Sequence, residues 1–393
     1  MDQILEVLSL FLSVENILMI ALGVVIGVVI GAIPGLTATM AVALALPFTF
    51  GMEPVTAILL LVGIYKGGMY GGSITAILIR TPGSPASAST LLDGYPMAQK
   101  GEAKKALSMA LYASCIADFI SNLSLIFLAG YLAKLALSFG PPEYFWLICF
   151  SLTIIISVSG DSVMKGLIAA ALGVILALVG MDPVYGTERL TFDNYNLMDR
   201  INFIPLLIGL FAIPEILEFY LSRAREHIQT AVSGADVTWQ ELKGSMRSII
   251  RGSFIGVIIG AIPGTGATAA SFISYSEARR NSPNRDNFGK GEIEGVAAAE
   301  AGNNAVAGAT MIPLLSLGIP GDVITAIILG AFMIHGLTPG PILFQENMNL
   351  IYALFCGIML SSVVLFGTGK LAIRYFSRIA DVPKQILFPI VLM

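Results

Sequence analysis

The chain has 393 residues, 56% hydrophobic and only 12% charged, with a net charge of −4 and a mean hydropathy of +0.83. A soluble domain carries about a quarter charged residues, so this composition belongs to an all-α polytopic membrane protein. No strongly basic block exists, which excludes nucleic acid as an expected partner.

Residues 1–16 read as an amphipathic helix on the membrane surface; their acidic start is unlike a cleavable signal, which opens basic. The run 17–33 is apolar and then meets Ala-Ile-Pro-Gly. Proline removes a backbone donor and glycine frees the dihedrals, so the helix is expected to break at Pro34-Gly35 and return over 36–50. Segment 54–79 is long enough to span, with Tyr65-Lys66-Gly-Gly-Met-Tyr-Gly-Gly-Ser73 expected to interrupt it. A loop rich in Pro, Ser and Gly is expected over 81–101. Apolar spans follow near 106–137, 144–158, 163–179 and 203–220, and a polar linker covers 221–247. The second half opens with 249–262, breaks at a second Ala-Ile-Pro-Gly, and carries a polar loop over 277–295. Small-residue-rich 296–317 holds Glu300, Asn303 and Asn304 and ends in Gly-Ile-Pro-Gly-Asp322. Segment 323–334 is apolar but short, and 349–366 is a full span.

The two breaks are copies of each other. GVVIGVVIGAIPGLTAT (23–39) and GSFIGVIIGAIPGTGAT (252–268) are identical at 12 of 17 positions without a gap. The register continues loosely, with Pro82-Gly83 matching Pro320-Gly321, 94–97 matching 330–333, and Tyr112-Ala113 matching Tyr352-Ala353. It also pairs Pro383 with Pro142, so counterparts of 144–220 are missing and the second repeat is expected to be truncated at its C-terminus.

Short loops rich in Lys and Arg stay cytoplasmic. Lys100, Lys104 and Lys105 therefore lie inside, and alternation puts 138–143 outside, Lys165 inside, 180–201 outside and the linker inside. Residues 279–290 also belong inside. Segment 249–276 then begins and ends inside as a re-entrant hairpin, while 17–50 is a hairpin whose ends face outside. Segment 323–338 is expected to dip in from outside and return. The expected architecture is two inverted-topology repeats, 1–220 and an incomplete 248–393, joined by a cytoplasmic linker at 221–247. Within a bilayer, broken helices are tolerated only where protein or a water-filled cavity satisfies the freed backbone groups. One break per half points to a secondary transporter with its site between the repeats.

GAIPGLTATMAVALALP (31–47), GGMYGGSITAILIRTPGSPAS (67–87), LLDGYPMAQKGEAKKAL (91–107), GAIPGTGATAA (260–270) and EAGNNAVAGATMIPLLSLGIPGD (300–322) together resemble the large membrane subunit of the tripartite tricarboxylate transporters, the TctA family. The resemblance implies a small four-span membrane subunit and a periplasmic solute-binding protein as partners. It further implies a small tri- or dicarboxylate substrate, a cation gradient (usually sodium) as driving force, and the bacterial inner membrane as location. No other cofactor is implied, and family members are longer, in keeping with the unfinished repeat. Arg80 and Lys66 depart from the family pattern, so the identity of the carboxylate does not carry over.

For such an anion, helix N-termini offer free N–H groups without a full charge. Gly35, Thr37, Thr39, Gly264, Thr265, Gly266 and Thr268 are the expected substrate contacts, with tight helix packing through small residues as the alternative. Lys66 is expected near the midplane, where it neutralises the substrate or else snorkels or pairs with a carboxylate. Ser73, Thr75, Asn303 and Asn304 offer oxygen ligands for sodium, or else interhelical hydrogen bonds. Glu300 is expected to order the cytoplasmic end of its helix, Asp118 and Asn122 to form a structural polar pair, and the two Pro-Gly pairs to be turns. Cys115, Cys149 and Cys356 sit singly in apolar segments, as buried hydrophobes do, and His227 and His335 form no ligand set. No nucleophile–base pair or metal cluster suggests an enzyme. The expectation is an alternating-access uptake permease, with an anion channel or an inert fragment as alternatives.

Overall fold

The computed structural model describes residues 11–33, 35–158, 162–182, 186–198, 201–214, 217, 232 and 234–379. Most of the amphipathic segment read over 1–16, the proline at position 34, His227, and most of 215–233 lie outside the described residues. Described secondary structure is helical apart from one short antiparallel pair, β1 (Gly180–Met181) with β2 (Glu188–Arg189).

The first half runs α1 (Val14–Gly31), α2 (Ala38–Ala45), α3 (Pro54–Ile79), α4 (Ala88–Gln99), α5 (Ala103–Ala136), α6 (Pro141–Val158), α7 (Val163–Leu178) and α8 (Phe203–Leu207), which continues into a π-helical turn at Ile208–Ala212. The second half runs α9 (Trp239–Gly260), α10 (Gly266–Asn281), α11 (Ile293–Ala309), α12 (Met311–Leu317), α13 (Val323–Ile334), α14 (Pro341–Glu346) and α15 (Met348–Ile379). Among described residues four helices are long and apolar enough to cross a membrane: α1, α3, α5 and α15 up to Tyr375. These apolar helices make the chain a predominantly helical membrane protein.

Both expected breaks are present. The chain leaves α1 at Gly31 and α9 at Gly260, and in each break a glycine takes the same left-handed conformation, Gly35 at φ 84° and Gly264 at φ 84°. That region carries a steric cost for any side chain, which explains glycine at both places. Thr37 then caps α2, its hydroxyl accepting from the Met40 N–H at 3.2 Å.

The glycine-rich stretch 65–73 does not interrupt its helix: α3 is unbroken and buried from Val55 to Leu78. Its glycines are contact points rather than breaks. A Cβ on Gly23, Gly27 or Gly31 of α1 would stand 2.3, 2.2 and 2.5 Å from the carbonyl oxygens of Leu60, Ile64 and Gly68. Reciprocally, a Cβ on Gly67 or Gly71 would stand 2.3 or 2.6 Å from those of Val24 and Val28. Two helices whose i, i+4 glycines interlock this way bring backbone against backbone, the small-residue packing that membrane helices favour. Local helix propensity loses about 1 kcal/mol per glycine; the close packing offsets it.

The second half uses the same device. Gly252, Gly256 and Gly260 of α9 press on α11, where an added Cβ would lie 3.0 Å from the Ala298 oxygen, 2.6 Å from the Gly302 oxygen and 2.8 Å from the Ala309 Cβ. The Pro-Gly pairs correspond as well. A Cβ on Gly83 would be 2.7 Å from the Gly72 Cα, and one on Gly321 would be 2.7 Å from the Thr310 Cα. The helices before them end alike, with left-handed Arg80 (φ 57°) after α3 and left-handed Gly318 (φ 73°) after α12.

Three boundaries differ from expectation. The segment 81–101 is not a loop: after a turn at Pro85–Ser87 it forms α4, with Pro96 inside and Ser89, Thr90, Asp93, Met97 and Ala98 buried. Burial of that face outweighs the missing proline donor. The expected linker ends early, because Thr238 and Glu241 form a capping box that starts α9 at Trp239. Helix α10 runs on to Asn281, into the expected loop.

Candidate substrate and cation site

Helix α3 is the axis on which the polar groups converge. Its buried Ser73 donates to Glu300 Oε1 of α11 at 2.5 Å. Thr90 of α4 donates to the same oxygen, and Ser114 of α5 donates to Oε2 at 3.0 Å. Asn304, one turn along α11, donates to Ser114 Oγ at 2.8 Å and to Glu300 Oε2 at 3.2 Å. Ser87 lies 3.5 Å from Ser73, and Ser84 is 2.8 Å from Ser87. Glu300 is 0% exposed. It sits within α11 and gathers α3, α4 and α5 around one carboxylate, rather than ordering the helix's cytoplasmic end. Its four donors come from neutral groups.

A second polar centre lies on the same helix. Lys66 Nζ is 2.9 Å from Asp118 Oδ1, and donates to Asp118 Oδ2, Asn122 Oδ1 and the Ile358 carbonyl, each at 3.0 Å. Asn122 donates to Ser362 Oγ at 2.8 Å, and Ser362 donates to Asp118 Oδ2 at 2.5 Å. Asp118 and Asn122 do pair across one turn, at 3.4 Å, but as part of a network tying α3 and α5 to α15. Lys66 is 1% exposed and fully engaged.

The helices that follow the breaks pack on their own half and also touch the opposite one. Helix α2 packs against α13, whose N-terminus is capped by Asp322; Asp322 in turn accepts from the Tyr65 hydroxyl of α3 at 2.5 Å. Helix α10 packs against the Pro85–Ser87 turn and α4. The Gly264 N–H donates to the Gly321 carbonyl at 2.7 Å, joining the second break to the second Pro-Gly pair. Thr265 spends its hydroxyl on the Ile259 and Ile262 carbonyls at 2.5 and 2.9 Å. Gly35 and Thr268 are exposed, whereas Thr37, Thr39, Gly264, Thr265 and Gly266 are half-buried.

The candidate substrate groups at the breaks are thus reachable, and the candidate cation groups are sealed. Ser73 and Asn304 share one carboxylate. Thr75 is buried and donates to the Gly72 carbonyl at 3.1 Å. Asn303 is 0% exposed, and neither atom of its amide has a hydrogen-bond partner. No three His, Cys, Asp or Glu side chains cluster as a metal site among the described residues. Residue-by-residue reading of the sequence passes over Thr90, Ser114 and the centrality of Glu300. One signal points there: Glu300 is the lone charge in 295–321.

Asp93 of α4 also fastens the two halves. Its Oδ1 accepts from the N–H groups of Gly289, Gly291 and Glu292, each at 2.8 Å, and its Oδ2 from the Tyr275 hydroxyl at 2.8 Å. Burial, with the nearby charges of Glu294 and Asp93, pushes the Glu292 carboxyl above its ordinary value, although hydrogen bonds to the Glu294 backbone and Asn287 oppose this.

The family model described as the tripartite tricarboxylate transporter TctA family matches residues 17–393. An uncharacterized 52.8 kDa protein in the TAR-I ttuC' 3' region of Agrobacterium vitis is 38% identical over 383 residues, covering 97% of this chain and 76% of that protein. An uncharacterized protein in the TAR-II ttuC' 3' region of the same organism is 37% identical over 138 residues, 35% of this chain and 57% of that protein. No solved structure matches. The chain belongs to the TctA family and is a membrane component of a tripartite tricarboxylate transporter.

Proposed function

We propose that this chain is a secondary active uptake permease for a small tri- or dicarboxylate, coupled to sodium and working by alternating access in the bacterial inner membrane. The observation that carries the reading is the duplicated break. Each half has three glycines packing its first helix onto a buried partner, a left-handed glycine after that helix, and a Pro-Gly pair folded back on the partner's end. The halves are inverted-topology repeats, and the breaks are the tips of re-entrant hairpins entering from opposite faces. Gly35, Thr37, Thr39, Gly264, Thr265, Gly266 and Thr268 contact the carboxylate, and Ser73, Thr75, Asn303 and Asn304 serve the cation. Lys66 meets the substrate only in a state where Asp118 releases it. A small four-span subunit and a periplasmic binding protein complete the system.

The test is uptake of labelled citrate or a dicarboxylate into proteoliposomes holding this chain and its small subunit, with binding protein outside. Sodium-driven accumulation against a gradient is the expected result. Passive equilibration would identify a channel, and no uptake an inert chain.

A further inference from the structure

We infer that Glu300 is the anionic ligand of a buried site for one monovalent cation, formed with the oxygens of Ser73, Thr90, Ser114 and Asn303. This rests on the permease reading and adds to its expected ligands Ser73 and Asn303 the carboxylate of Glu300 and the hydroxyls of Thr90 and Ser114. A carboxylate taken out of water is costly unless it is paired or coordinates a metal ion. Lys66, the buried cation on α3, is matched by Asp118, leaving nothing over for Glu300 on α11. Among the described residues no Lys, Arg or His pairs with Glu300; hydroxyls and one amide surround it.

Those hydroxyls are ambivalent. A Ser or Thr O–H that donates to the carboxylate can rotate about its C–O bond and turn a lone pair inward, without moving a heavy atom. Three such oxygens from α3, α4 and α5 already converge on the two oxygens of Glu300, the oxygen-only donor set that hard cations prefer. The second observation is Asn303. Its amide is fully buried with oxygen and nitrogen both unpartnered, three residues along α11 from Glu300 and therefore on an adjoining face. The Tyr70 hydroxyl, three residues before Ser73 on α3, is likewise buried and unpartnered. Buried polar groups are nearly always hydrogen-bonded, so orphans on both helices beside one unpaired carboxylate mark a place built for an occupant. A bound cation would neutralise Glu300, employ the Asn303 oxygen, and fix α11 against α3, α4 and α5.

The experiment is thermal unfolding of the purified full chain in detergent, titrated with sodium chloride against choline chloride at constant ionic strength and at two pH values. The wild-type protein is expected to gain melting temperature with sodium. Glu300→Gln is expected to lose that gain, and Ser114→Ala and Asn303→Leu to need more sodium for it. Should Glu300→Gln not fold, the latter two variants carry the test. Equal sodium responses in the wild type and all folded variants would overturn the site while leaving sodium coupling intact. A wild type stabilised by carboxylate but indifferent to sodium would refute sodium coupling and the site together. A response to pH alone, lost in Glu300→Gln, would replace the cation with a proton and overturn the inference.

Discussion

At the scale of single residues, absent side chains matter as much as present ones. A methyl group at Gly27 would meet three backbone atoms of α3 within 2.9 Å, none of which can rotate away. Gly27→Ala should therefore destabilise the protein by about 1–3 kcal/mol or more, the cost of overpacking, read as a lower melting temperature in detergent. Gly130, within α5 and with nothing near its missing Cβ, is the control. Gly130→Ala should be neutral or stabilising by up to about 1 kcal/mol. The Lys66–Asp118 pair makes the opposite prediction. Removing either partner strands a buried charge and costs about 3–5 kcal/mol. The double variant Lys66→Met with Asp118→Leu should cost less than the two single losses summed, a coupling that the thermodynamic cycle reads directly.

At the scale of elements, the helix ends and the interface between halves respond to capping and to protons. Thr238→Ala removes the capping box of α9 and should cost about 1 kcal/mol. Glu292 holds its proton more tightly in the folded protein than in the unfolded chain. The stability it contributes is complete below its unfolded value of about 4.3 and is lost as pH rises through its higher folded value. Glu292→Gln should accordingly melt higher than the wild type at neutral pH, with the difference vanishing on acidification. Much of this level is legible in the sequence. Pro and Gly act through local backbone chemistry, so both Ala-Ile-Pro-Gly breaks stand out, and so do apolar helices such as α5 and α7. What cannot be read is what depends on a distant partner. The run 65–73 carries the composition of a break and becomes unbroken helix because glycines forty residues away press against it. Segment 88–99 has the composition of a loop and becomes α4, its face buried and its Asp93 bound to the N–H groups of Gly289, Gly291 and Glu292. Ser73 and Asn304 can be picked as polar groups in apolar helices. Their common partner cannot, since α3 and α11 are more than 200 residues apart.

At the scale of the whole molecule, the halves interlock: α2 rests on α13, α10 rests on the turn before α4, and Asp93 ties α4 to the loop before α11. A motion that opens one side has to slide these contacts, while the glycine-packed pairs α1–α3 and α9–α11 are close enough to move as units. Disrupting the Asp93 clamp by Asp93→Asn should bias the protein toward the state in which this contact is open. That shift is measurable as faster hydrogen exchange in 289–292 than in wild type. The central claim is that the twin breaks approach the site from opposite faces. It is tested most directly by placing single cysteines at Thr37 and Thr265, in a background with Cys115, Cys149 and Cys356 replaced, and labelling with an impermeant maleimide in vesicles of both orientations. Labelling of Thr37→Cys from outside and Thr265→Cys from inside, each slowed by carboxylate, is the result expected. Labelling of both from the same face, in every state, would contradict it.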